Sequence, residues 1–261
     1  LPGKAPVGVR ILGVLQRIAL AYCFASLIVY YGKPRLALVT GMVILLGYWA
    51  LCLAAGATGD PYSLQGYFGT AIDKAVLGVA HMYKGEGVPF DPEGIASTLP
   101  AIVQVIFGYL VGNYIIHKGK TYEMIAGLFV AGCVLIFTGF SWDMVFPINK
   151  KIWSSSFVVY TTGLAILVLC VLMYVIEMKA VRGWWSKFFN VFGKNALFIF
   201  MISGILPRLY GLLRVSGWTY SHIFSPLFGP MNGSLLDAIS TVLTFWVLAY
   251  LLDRKKIYIR V

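Results

Sequence analysis

Apolar residues dominate this chain in seven long runs, covering residues 9–31, 36–55, 95–116, 124–140, 157–176, 188–206 and 235–252. A helix needs about 20 mostly apolar residues to cross a bilayer, and most of the runs meet that length. The fourth, residues 124–140, is short and predicts a tilted helix or one thinned at its ends. Within each run the apolar residues lie on all sides rather than on one stripe, the pattern of helices that face lipid. Lipid offers a backbone amide no partner, so a spanning segment must satisfy its own hydrogen bonds as a helix. The pattern predicts an all-α fold, a polytopic transmembrane helix bundle of about seven spans, forming a single domain over residues 1–261.

The connections are unequal. If each run crosses once, residues 32–35, 117–122, 179–187 and the tail from Asp253 share one face. That face carries Lys33, Arg35, Lys118, Lys120, Lys179, Arg182, Lys187, Arg254, Lys255, Lys256 and Arg260 against Glu123, Glu177 and Asp253. The other face holds residues 56–94, 141–156 and 207–234 as loops, with a balanced set that includes Asp60, Asp73, Glu86, Asp91, Glu93, Asp143 and Asp237. Short basic loops stay in the cytoplasm, which sets the N-terminus outside and the C-terminus inside. In the long extracytoplasmic loop, residues 56–94, the segment from Thr70 to Gly78 has the apolar spacing of a short helix lying on the membrane surface.

Composition agrees with the pattern. The chain is 59% hydrophobic and 12% charged, where a soluble domain is about half apolar and about a quarter charged. Its net charge of +11 sits in the loops between runs, so it reports membrane topology and excludes nucleic acid as the partner. Cys23, Cys52, Cys133 and Cys170 each fall inside an apolar run, away from a second Cys or a His at ligand spacing. They read as small buried hydrophobes, and no metal site is expected. The chain opens on Leu1-Pro2-Gly3-Lys4 without an initiator Met or signal peptide, so upstream spans are expected in a longer protein.

Two segments place residues that a bilayer rejects at the mouth of an apolar run. In Phe90-Asp91-Pro92-Glu93-Gly94-Ile95 the acids suit a helix N-terminus, and the same carboxylates suit a general base or a group that orients a substrate. In Pro147-Ile148-Asn149-Lys150-Lys151-Ile152-Trp153-Ser154, Trp and Lys anchor a helix in the headgroup layer or hold an anionic ligand there. Both segments lead into runs from the same face, so they are expected to converge on one cavity. Arg17, after Gln16 and about two turns into the first run, must pair or face a wet cavity, or else reach the headgroups. Lys194 can snorkel, whereas Asn195 beside it must bond across helices or to a ligand. His81, His117 and His222 are isolated in loops, and P-loop, HExxH and GxSxG motifs are absent from the sequence.

Taken in order, Gly13-Val14-Leu15-Gln16-Arg17, Phe90-Asp91-Pro92-Glu93-Gly94, Pro147 to Ser154, Gly193-Lys194-Asn195-Ala196 and Tyr250…Arg254-Lys255-Lys256-Ile257-Tyr258 resemble the heparan-α-glucosaminide N-acetyltransferase family, in particular its C-terminal part. The resemblance implies a bacterial-type membrane acyltransferase of the inner membrane. Such an enzyme moves an acetyl group from acetyl-CoA across the membrane to an amino sugar or other glycan. The family's proposed catalytic His lies upstream of the matching segments. Within this chain the expected catalytic residues are Asp91, Glu93 and Asn149. The expected substrate-binding residues are Arg17, Gln16, Lys150, Lys151, Trp153, Ser154 and Asn195. Expected partners are acetyl-CoA, the glycan or amino-sugar acceptor, the lipid bilayer and a second copy of the chain. A transporter of small molecules or lipid-linked sugars, or a non-catalytic membrane protein, is the alternative; transporters usually show internal repeats with matched helix breaks, and none is visible here.

The charge asymmetry yields a direct test of orientation. A reporter fused after Gly119 is expected to be active in the cytoplasm and one fused after Gly85 outside it; the opposite pair of signals would reverse the topology.

Overall fold

The computed structural model describes residues 8–212 and 215–259. Leu1, Arg260 and Val261, which carry part of the orientation expectation, lie outside them. Regular structure among the described residues is helical throughout, with no strand. Among the described residues, five segments are long and apolar enough to cross a membrane: Val14–Ala55, Thr98–Lys118, Tyr122–Asp143, Ser155–Met178 and Gly217–Arg254. A sixth arises if Trp184–Lys194 and Ala196–Leu212, bent by 79°, count as one. The chain divides into two compact units, Leu1–Ala180 and Val181–Val261.

In the first unit, helix α1 (Val14–Ala55) is 42 residues long and contains a break at Lys33 (φ 55°, ψ 170°), just before Pro34. Such φ values are unfavourable for a residue with a Cβ, and proline cannot continue the hydrogen-bond ladder of the preceding turn. The break folds the helix back on itself. Arg17 in the first limb and Tyr48 in the second both touch the segment at residues 152–153, although 31 residues of straight helix would hold them about 46 Å apart. The two apolar runs at residues 9–31 and 36–55 are therefore the two limbs of a hairpin.

Helix α2 (Phe68–Val76) follows in the long loop. It overlaps the segment expected to be helical, and Gly69, Thr70 and Asp73 on one of its faces are buried against the protein. Helix α3 (Thr98–Lys118) runs parallel to the first limb of α1, with Ala21, Ala25, Ala101, Ile102 and Ile106 sharing one core. Helix α4 (Tyr122–Asp143) is longer than its apolar run. Thr121 caps it by accepting a hydrogen bond from the Met124 amide (3.1 Å), and its polar and aromatic ends remain helical. The expectation of a short span is corrected on that account. Helix α5 (Ser155–Met173) extends through a π-helical turn, Tyr174–Met178.

Helices α4 and α5 pack through glycine. A Cβ on Gly163 would lie 2.8 Å from the Gly132 carbonyl oxygen and from the Ile136 amide nitrogen. Close backbone approach of this kind is how membrane helices gain packing energy without a hydrophobic drive between them.

In the second unit, α6 (Trp184–Lys194) and α7 (Ala196–Leu212) meet at Asn195, whose φ −127° and ψ 38° interrupt the helix. The apolar run at residues 188–206 is thus split rather than continuous. Residues 207–234, expected as a loop, are largely helical, through α7, α8 (Val215–Thr219) and α9 (Ser225–Arg254). The prolines in this segment are tolerated. Pro226 sits in the first turn of α9, where no partner awaits its missing N–H, and Pro230 follows a break at Gly229 (φ 80°). Phe188 stacks on Trp246 at 5.3 Å, and Trp246 on Tyr250 at 5.1 Å.

Gly163→Ala is expected to destabilise the first unit by about 1–3 kcal/mol, the usual cost of overpacking, because two of the three atoms it would strike are backbone. Thermal unfolding in detergent measures it. Wild-type stability would mean that α4 and α5 separate without cost.

Candidate functional site

The site assembles where the start of α1, the turn at residues 90–97 and the loop at residues 147–154 come together. Arg17 organises it. Its residue is 5% exposed, Nη1 donates to the Pro92 carbonyl (3.0 Å), Nη2 donates to the Ser97 carbonyl (2.7 Å), and its guanidinium lies 3.9 Å from the centre of the Trp153 ring. Its Nε has no partner. The two carbonyls belong to the entry of α3, and the Pro92 carbonyl also accepts from Ser97 Oγ (3.2 Å). Arg17 ties the first limb of α1 to that entry through both acceptors.

Trp153 is held from three sides. Its backbone adopts φ 54°, a conformation that bulky residues rarely take, and its indole Nε1 donates to Gln104 Oε1 (3.1 Å). Gln104 in turn donates to Thr161 Oγ1 of α5 (3.3 Å). On the preceding residue, the Ile152 carbonyl accepts from Tyr48 Oη (2.6 Å), which also meets Tyr67 Oη at 2.7 Å. Burial pushes the Tyr67 phenol well above its ordinary range, so it stays neutral.

Arg17, Glu93, Gln104 and Trp153 line a cavity of about 360 Å³ whose remaining walls are apolar. That volume falls within the range of small-molecule sites, about 300–1,000 Å³. A second cavity, about 410 Å³, continues along the groove between α1 and α3 and shares Tyr22 and Val105 with the first.

The two acids part company. Asp91 has no exposed side-chain surface; its oxygens accept from Arg10 Nη2 (2.5 Å), the Tyr83 amide (3.2 Å) and the Glu93 amide (3.1 Å). Glu93 also pairs with Arg10, but its side chain is 19% exposed and faces the cavity. Arg10 lies 4.7 Å over the Tyr83 ring. Burial alone would lower the Arg10 pKa, but hydrogen bonds and charge from Asp91 and Glu93 raise it.

The remaining residues singled out in the sequence do not line this cavity. Asn149 Oδ1 accepts from the Lys151 amide (2.9 Å) and its own amide donates to Ser154 Oγ (2.9 Å), so both residues build the turn. Ser154 also caps α5. Lys151 pairs with Glu86 and Lys150 is exposed. Gln16 is exposed beside Arg17. Asn195 is fully buried in the second unit, where Nδ2 donates to the Ile257 carbonyl (3.2 Å) and Oδ1 accepts from the Ile259 amide (2.9 Å). Beside it Lys194 pairs with Asp253 at 2.9 Å. Sequence reasoning passed over Arg10, Gln104 and Asp73. Gln104 had a signal, a lone amide inside an apolar run; Arg10 read only as a residue at a span's edge.

Asp73, on α2, supports the turn from below. Its Oδ1 accepts from the Ile95 amide (2.9 Å), and its carboxyl fills the space where Gly94 would carry a Cβ. Burial raises its pKa to about 6; the Ile95 hydrogen bond opposes that shift and the charge on Asp91 adds to it.

A helical bundle of this apolarity, with charged side chains gathered at helix ends, defines an integral membrane protein. No family model matches the chain. It is distantly related to heparan-alpha-glucosaminide N-acetyltransferases: to that of Mus musculus at 26% identity over 226 residues, 79% of this chain and 32% of the relative. To that of Homo sapiens the identity is 26% over 225 residues, with the same shares covered. The chain spans about a third of the length of the curated relatives it matches.

The Asp73 environment predicts a pH dependence. Between an ordinary carboxylate value of about 4 and about 6, the unfolded chain has lost a proton that the folded chain keeps. Stability therefore falls as pH rises through that window, by at most about 3 kcal/mol for this group. Asp73→Asn retains an acceptor for Ile95 and is expected to flatten the slope of melting temperature between pH 4 and 6. An unchanged slope would place the titration elsewhere.

Proposed function

We propose that this chain forms the acceptor-side portion of a membrane acyltransferase, transferring an acetyl group from acetyl-CoA to an amino sugar or related glycan. The distant relationship supports a transferase role, and one observation carries the finer reading. Glu93, a carboxylate, and Arg17, a buried guanidinium, share a largely apolar cavity at the end of the bundle. Acyl transfer to an amine needs a base for the amine proton and a positive group for the oxygen of the tetrahedral intermediate.

In the proposed reaction the acceptor nitrogen attacks the thioester carbonyl and its proton passes to Glu93. Negative charge grows on the carbonyl oxygen beside the Arg17 guanidinium. Collapse of the intermediate breaks the C–S bond, leaves the new C–N bond of the amide, and releases CoA thiolate, which takes up a proton. Trp153 keeps the guanidinium in place and helps to exclude water, which strengthens every charge interaction in the cavity. Asp91 and Asn149 have their polar atoms committed to the surrounding turns, so in this reading they shape the site and Glu93 performs the chemistry. At the other end of the α1 hairpin, Lys33 and Arg35 suit the phosphates of the nucleotide. The protein sits in a bacterial inner membrane with this cavity on the outer side.

A transporter would build its site from helices broken at matched positions in two halves. The breaks at Asn195 and Gly229 lie in the second unit, and the break at Lys33 in the first does not line the cavity, whose α1 residues run from Val14 to Tyr22.

The test uses the full-length protein in detergent with acetyl-CoA and glucosamine. Glu93→Gln and Arg17→Leu are each expected to lower turnover at least about 100-fold, the scale set by loss of a general base or an oxyanion group. Leu enters the bilayer more readily than Arg, so insertion should persist. Turnover within a few fold of wild type in either variant would remove that residue from the chemistry.

A further inference from the structure

The geometry points to Arg10 as a positioning residue that holds Glu93 toward the cavity, with Asp91 as its buried counter-anchor. This rests on the reading of Glu93 as the proton acceptor, and it adds a residue that neither the sequence motifs nor the relationship singles out.

Three observations carry it. Arg10 is the cation shared by both acids, and a guanidinium fork can bridge two carboxylates where an ammonium, a point charge, holds one at a time. The fork is itself fixed. Asp91 takes both Nη2 (2.5 Å) and Nε (3.4 Å), and the Tyr83 ring closes one face of the guanidinium at 4.7 Å. Asp91 is in turn fixed by the backbone amides of Tyr83 and Glu93, so the anchor does not depend on the Glu93 side chain that it steadies. A carboxylate with a free oxygen and a free torsion would lose rotamer entropy in each productive encounter; the fork removes that loss before the substrate arrives.

Asp91 and Glu93 therefore differ in kind. Asp91 is beyond the reach of any substrate and serves the ion pair. Glu93 is reached from the cavity and is steadied by it. Arg10 also ties the segment preceding α1 to the turn preceding α3, so the two parallel helices enter the bundle from one fixed corner.

The experiment reads Glu93 without requiring turnover. Purified protein in detergent is treated with dicyclohexylcarbodiimide, which attacks carboxyl groups that have lost an ionic partner, and the labelled peptides are mapped by mass. Labelling at Glu93 is expected to rise at least about fivefold in Arg10→Gln and to an intermediate level in Arg10→Lys, with melting temperature recorded for each. If Arg10→Gln does not accumulate as folded protein, Arg10→Lys decides alone. Wild-type labelling in the folded variants overturns the proposal. With acetyl-CoA and glucosamine, Arg10→Gln should lower kcat while leaving KM for acetyl-CoA within about twofold, and Arg10→Lys should recover part of kcat. A fall confined to KM would overturn the positioning role. Absence of turnover in the wild type would count against acyl transfer and leave the labelling result standing.

Discussion

The placement of one guanidinium governs the first unit. Arg17 enters the bundle about a turn inside the first helix; an uncompensated charge costs about 2.5–3.5 kcal/mol at a helix centre on the lenient insertion scale, which is an upper bound here. Two hydrogen bonds from a charged donor are worth about 1.5–3 kcal/mol each, and a desolvated cation–π contact adds about 2 kcal/mol. One such contact at most roughly matches that cost, and two or more meet or exceed it. The Pro92 and Ser97 carbonyls and the Trp153 ring come from segments far apart in sequence, so full burial of Arg17 draws in both the turn before α3 and the loop before α5. The polar end of the bundle is therefore cooperative.

That requirement accounts for the strain at Trp153. A non-glycine residue at positive φ costs on the order of 1–3 kcal/mol, and the loop could relieve it by turning the indole away. Doing so would leave Arg17 uncovered and Gln104 without its donor. The strain is overdetermined from both sides: Tyr48 fixes the carbonyl before Trp153, and Ser154 fixes the helix start after it. Strained backbone of this kind gathers where a site must be rigid before its ligand arrives.

The sequence made the helical, membrane-spanning character plain because lipid imposes one demand on every exposed residue, and residues 157–176 answer it almost throughout. It was less informative where a helix turns within protein. Asn195 looked like an intramembrane polar group in search of a partner; its partners are the Ile257 carbonyl and Ile259 amide, backbone groups more than 60 residues away that no local pattern announces. Residues 207–234 were read as a loop because they fall between two apolar runs, and the run pattern alone does not show that Pro226 falls in a first turn. Asn149 and Ser154 were visible as polar residues at a helix mouth. Whether such residues build a turn or meet a ligand depends on where their second hydrogen bond goes, and here it goes to the loop itself.

The acids show the same limit more sharply. Asp91 and Glu93 stand two apart around a proline, and any local argument treats them alike. What separates them is Arg10, some 80 residues earlier, and the depth at which α2 supports the turn. Asp73 fills the hollow beneath Gly94, a position where a side chain would collide with its carboxyl, and so fixes how far the turn can settle toward the bundle. With the turn at that height, Asp91 falls below the surface beside two backbone amides while Glu93 stays at the cavity wall. The chemistry available to each carboxyl follows from solvation. Asp91 is saturated with donors and cannot exchange one for a substrate without leaving a buried donor unpaired, at a cost of about 1–3 kcal/mol. Glu93 retains an edge toward the cavity and bears no such penalty. A pair that is symmetric in sequence is thus divided by tertiary structure into a group that holds the site and a group that faces into it.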